Sequence, residues 1–112
     1  MDRQDLLRQI KQRLQEAYGR RFRGLVLYGS EARGEARPDS DYDFLVLLEG
    51  PVKFGPELRH IIKVLYPLQL DLVGTSEAPE DRLLDVRPVD IDTYERSEDD
   101  LYLNAQKEGI RL

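Results

Sequence analysis

The chain's 112 residues, with a formal net charge of −5, suffice for one domain over residues 1–112. That charge excludes a general nucleic-acid binder, whose affinity rests on a basic face that neutralises phosphates. Hydrophobic residues make up 40% and charged residues 35%, no apolar run approaches the roughly 20 residues of a membrane span, and the absence of cysteine excludes thiolate metal sites and suits a cytoplasmic location.

In chain order, residues 3–18 are expected to form an amphipathic helix. Leu6, Leu7, Ile10, Leu14 and Ala17 make its apolar stripe, and Gly19 stops it. Leu25 to Tyr28 reads as a buried strand. Gly29 and Ser30 follow at once, Glu31-Ala32-Arg33 begins a short helix, and residues 34–40 form a turn or loop. Phe44 to Leu48 is a second strand, and its unbroken apolar character predicts a sheet covered on both faces. Residues 56–66 read as a second helix. Beyond it, Leu68, Leu70 and Leu72 alternate with Gln69, Asp71 and Val73 as in a half-buried strand; the alternative is a helix continuing past Pro67. Residues 74–81 are turn-like. Val86 to Ile91 is a strand suited by Pro88 to a sheet edge, and residues 98–107 form a last helix ended by Gly109. The order implies an α/β or α+β fold, a short mixed sheet of three or four strands flanked by helices.

Two features carry chemistry. Gly29 lets the backbone turn sharply and leaves room for a ligand, and Ser30 adds a hydroxyl and free N–H groups suited to a phosphate. Asp41 and Asp43, two residues apart at the start of a strand, point to one face, where paired carboxylates repel unless a cation such as Mg²⁺ or Mn²⁺ lies between them. Either feature alone is common. Together, Gly-Ser, ten intervening residues and Asp-x-Asp arise by chance about once in a thousand chains of this length, and here buried strands precede the glycine and follow the second aspartate.

Through Gly29-Ser30, Ala32-Arg33-Gly34 and Ser40-Asp41-Tyr42-Asp43, the sequence resembles the minimal nucleotidyltransferases of the DNA-polymerase-β-type superfamily. These proteins are often encoded beside a HEPN-domain partner as a toxin–antitoxin pair. The resemblance implies a small nucleotidyltransferase fold and an enzyme that binds ATP at Gly29, Ser30 and Arg33. Two Mg²⁺ ions (or Mn²⁺) would be held by Asp41, Asp43 and a third carboxylate on a neighbouring strand, which can also act as base. Asp71 is the first choice for that third carboxylate and Asp90 the competitor. AMP would pass to a hydroxyl, by resemblance a tyrosine of a HEPN ribonuclease toxin, and the protein would act as an antitoxin within a homo- or hetero-oligomer. The alternative is a catalytically weak module that neutralises its partner by stoichiometric binding. Arg33 has a competing role as a surface partner of Glu31 or Glu35. His60 is expected to be a solvated helix residue, and Tyr66, Tyr94 and Tyr102 to pack or lie at an interface.

Overall fold

A computed structural model of the chain describes residues 3–34, 41–73, 84–97 and 99–112, with the backbone alone for Ser30, Glu31, Asp71, Leu72 and Val73. The elements run α1 (Arg3–Tyr18), a 3-10 turn (Gly19–Arg21), β1 (Phe22–Tyr28), α2 (Gly29–Arg33), β2 (Tyr42–Leu48), α3 (Phe54–Val73), β3 (Leu84–Asp90), α4 (Ile91–Glu95), α5 (Asp100–Glu108) and β4 (Ile110–Arg111). The four strands form one mixed sheet in the order β3-β2-β1-β4. β1 pairs antiparallel with β2 and β4, while β2 and β3 run parallel. Among the described residues no helix is long and apolar enough to cross a membrane.

The helix over residues 3–18 forms as expected. Its stripe of Leu6, Leu7, Ile10 and Leu14 is buried, but Ala17 stays exposed and Tyr18 turns inward instead. On the covered side of the sheet, α1 and α3 pack over Leu25, Leu27, Phe44, Val46 and Val86. On the other side, Ile91 and Tyr94 of α4 and Ala105 of α5 close over Val26, Leu45, Leu47 and Val89. Side chains alternate between these two cores along each strand, which is why Leu45 to Leu48 are all buried and why the run is continuously apolar. Tyr94 and Tyr102 pack ring against ring in the second core. Tyr66 is exposed, and the ring of the exposed His60 meets Tyr18 edge-on.

The expected strand over residues 68–73 is overturned, because α3 continues through Pro67 to Val73. Ile61, Leu65 and Leu68 make one helical stripe into the core, and Leu70 stands exposed. Pro67 removes one helix hydrogen bond on the exposed side, at a cost of up to about 3 kcal/mol. Burial of Leu68 returns about 2 kcal/mol. Gln69 also ties the helix to β3 by accepting a hydrogen bond from the Leu84 N–H at 2.8 Å. A strand would have put Leu68 and Leu70 on one face and made them equivalent. The helix separates them: Leu68→Ala is expected to cost about 3 kcal/mol in urea unfolding, and Leu70→Ala less than about 0.5 kcal/mol.

Two boundaries at the C-terminal end also differ from expectation. β3 begins at Leu84 rather than Val86, and Ile91 belongs to α4, whose N-cap is Asp90. Pro88 lies in the edge strand, where it breaks no ladder between two neighbours. α5 starts at Asp100, with the Asp99 carboxylate accepting from the Leu101 N–H at 2.8 Å, and Gly109 ends it.

Candidate active site

The antiparallel pairing of β1 with β2 brings the end of one strand to the start of the other, so Gly29 arrives beside Asp43. Gly29 has φ +73°, in the left-handed region, and a Cβ there would overlap the Asp43 carboxylate. The expected sharp turn is therefore present, and the space that glycine leaves is taken up by one of the two expected acids. Ser30 follows in the first turn of α2, where its backbone is described.

Asp43 lies on the second residue of β2, with Tyr28 as its Cα partner on β1 and Asp85 as its Cα partner on β3. Residues in register across a sheet share a face, so Tyr28, Asp43 and Asp85 form one row on the α4–α5 side. Burial pushes the Asp43 carboxyl up to about 6. The negative charges of Asp85 and Asp41 and a hydrogen bond shared with Asp85 push the same way, and the Arg33 charge opposes them. Asp41, half-buried just before β2, thus acts on the same spot as Asp43. The Tyr28 hydroxyl is also raised, first by burial and then by Asp43 and Asp85, so it stays a neutral phenol beside the acids.

Among the described residues the third acid near this pair is Asp85, which is not among the candidates expected from the sequence. Asp71 lies in the last turn of α3, not on a strand, and its side chain is outside the described set. Asp90 is on β3 but at its far end, five residues and about 16 Å along the strand from Asp85. Its carboxylate is engaged there in capping α4, accepting from the Asp92 N–H at 2.9 Å. A signal for Asp85 did exist: Leu84-Asp85-Val86 repeats the apolar–acid–apolar pattern of Leu70-Asp71-Leu72. The expected strand starts at Val86, one residue past Asp85, so the acid falls outside it.

Arg33, at the end of α2, approaches Glu108 of α5 at 3.8 Å, while the side chains of Glu31 and Glu35, its other candidate partners, lie outside the described set. Its charge also reaches Asp43. Among the described residues no three His, Asp or Glu side chains form a group able to hold a metal by themselves. Mg²⁺ takes one or two carboxylates and completes its shell with water and substrate phosphates rather than from an all-protein cage. Asp43, hydrogen-bonded to the exposed Asp85 and near the charge of Asp41, offers the one or two carboxylates such an ion takes.

Residues 7–112 match the nucleotidyltransferase domain family. Over 76 residues the chain is 40% identical to protein adenylyltransferase MntA of Thermococcus cleftensis, an alignment that covers 65% of this chain and 74% of that protein.

Proposed function

Because the chain belongs to the nucleotidyltransferase domain family and is a nucleotidyltransferase, we propose that it transfers AMP from ATP to a hydroxyl of a partner protein. The reading extends to a tyrosine of a HEPN-family ribonuclease toxin as acceptor, with transfer silencing the toxin. The observation that carries it is the placement of Asp43 and Asp85 on adjacent strands, with Asp43 packed against the Gly29 turn. The similarity to a protein adenylyltransferase supports a protein acceptor.

In this mechanism the Gly29-Ser30 turn and Arg33 bind the triphosphate, the turn through backbone N–H groups and the Ser30 hydroxyl, Arg33 through its charge. Asp41, Asp43 and Asp85 would hold Mg²⁺ or Mn²⁺, which supplies neutralisation of the phosphate charge and of the departing pyrophosphate. Asp85 is assigned the third-carboxylate role for which Asp71 is the candidate from the sequence. It is the exposed member of the pair, so an arriving hydroxyl meets it first and gives up its proton to it. The hydroxyl oxygen then forms a bond to the α-phosphorus, the bond to the bridging oxygen breaks, and pyrophosphate leaves. Positioning and charge neutralisation supply most of the rate, within the means of a small protein. The stoichiometric-binding alternative needs no third carboxylate, and the position of Asp85 beside Asp43 supports transfer over it.

The test incubates the chain with ATP, Mg²⁺ and a HEPN partner. Pyrophosphate release and a partner mass increased by one or more AMP units are expected. An unchanged rate in the Asp41→Ala, Asp43→Ala double variant would sink the proposal. Full inhibition of the partner without any mass gain would restore the stoichiometric alternative.

A further inference from the structure

Beside Gly29 lies an open cleft of about 270 Å³, bounded by α2 and α5 and lined by Tyr28, Gly29, Arg33, Leu101, Asn104 and Glu108, with Ala105 beneath them. Its wall on α5 is one helical face: Leu101, Asn104, Ala105 and Glu108 recur at the spacing that stacks side chains on one side of a helix. The floor is apolar and aromatic. Ala105 is buried, and Leu101 and Tyr28 are half-buried. The rim is polar: the amide of Asn104 is exposed, and the pairing of Arg33 with Glu108 spans the mouth from α2 to α5. An apolar lining that carries one aromatic ring, Tyr28, and one amide residue, Asn104, is the chemistry of a nucleobase seat. Gly29 also lines the cleft, so a base placed there shares one ligand with a triphosphate bound at Gly29.

We propose that the α2–α5 cleft seats the base of the nucleotide, stacked on Tyr28 and Leu101, and that Asn104 selects adenine. The proposal rests on the transfer reading for the position of the triphosphate. An asparagine amide matches adenine with two hydrogen bonds: its Oδ1 accepts from the exocyclic amino group and its Nδ2 donates to N7. Guanine puts a carbonyl oxygen where adenine has the amino group, so Oδ1 faces another acceptor. Pyrimidines lack the second ring that carries N7. A site built around such a pair rejects the mismatched base because its own polar group is left unpaired.

The experiment measures binding by calorimetry in Mg²⁺, with ATP, GTP, CTP and inorganic tripolyphosphate as ligands. The proteins are the wild type, Asn104→Ala and Leu101→Trp. The wild type is expected to bind ATP about ten-fold or more tightly than GTP, CTP or tripolyphosphate. Asn104→Ala, on the exposed helix surface, should bring ATP and GTP within about two-fold of each other and leave tripolyphosphate unchanged. Leu101→Trp, which fills the cleft, should weaken ATP to the level of tripolyphosphate. Tripolyphosphate binding to the wild type as tightly as ATP overturns the base seat and leaves the transfer reading standing. An unchanged ATP-to-GTP ratio in Asn104→Ala overturns the assignment of Asn104. Absence of binding by tripolyphosphate and every nucleotide overturns the transfer reading together with the base seat.

Discussion

Asp85→Asn is expected to reduce AMP transfer about a thousand-fold while raising the melting temperature of the metal-free protein. The two effects have one cause. Asp85 stands in register with Asp43, and its negative charge is among the forces that push the Asp43 carboxyl up to about 6. Two acids held together without a cation are an electrostatic cost to the fold. An asparagine keeps the shape, removes one charge and can donate a hydrogen bond to Asp43. It can neither hold a metal as a carboxylate does nor take a proton from an acceptor hydroxyl. A melting temperature that falls in Asp85→Asn would show that the residue is structural and would undo this account.

The same pair sets a pH dependence whose sign follows from the raised Asp43 value. A carboxyl that titrates at about 6 when folded and at 3.8 when unfolded binds its proton more tightly in the fold. Its contribution to stability is therefore fully present below about pH 4 and is lost as the pH rises through about 6. Asp43 is only partly withdrawn from water, so the loss is about 1 kcal/mol rather than the larger figure for a fully buried group. Thermal melts in chelator between pH 5 and pH 8 should show this decline in the wild type and a smaller one in Asp85→Asn. Mg²⁺ with ATP should oppose the decline, because the bound ion favours the ionised form.

The part of the site legible in the sequence is the part built from neighbours in the chain. Gly29 and Asp43 stand at the facing ends of two strands whose apolar runs were evident, and pairing those strands brings the two residues together. Asp85 reaches the row through the parallel register of β2 with β3, and register is a property of the assembled sheet, not of the residues around Asp85. The ambiguity at residues 67–73 had a different source. Leu68, Leu70 and Leu72 satisfy a two-residue period, while Ile61, Leu65 and Leu68 satisfy a helical one. Only packing against the sheet decides between them, and it selects the stripe that buries Leu68 and leaves Leu70 in water. α4 escaped notice because five residues are too few to display a helical period, although Asp90 and Asp92 supply its cap.

Gly29→Ala is expected to destabilise the protein by about 2 kcal/mol and to cut transfer about a hundred-fold. Part of the stability loss is backbone strain: φ +73° places an alanine in the left-handed region, at roughly 1–2 kcal/mol. The remainder comes from the new methyl group, which would occupy the position of the Asp43 carboxylate and force it to swing aside. A shift of about 1 Å in a group that orients the reacting atoms accounts for the activity loss. Gly34 separates the two contributions, because it has nearly the same backbone angle, φ +72°, and nothing within 4 Å of an added Cβ. Gly34→Ala should therefore show the strain without the further loss of activity. In an Asp43→Ala background the methyl group meets no carboxylate, so adding Gly29→Ala there should cost only what Gly34→Ala costs in the wild type. A cost that stays equally large in both backgrounds would mean that the Asp43 contact is not what requires a glycine at this turn.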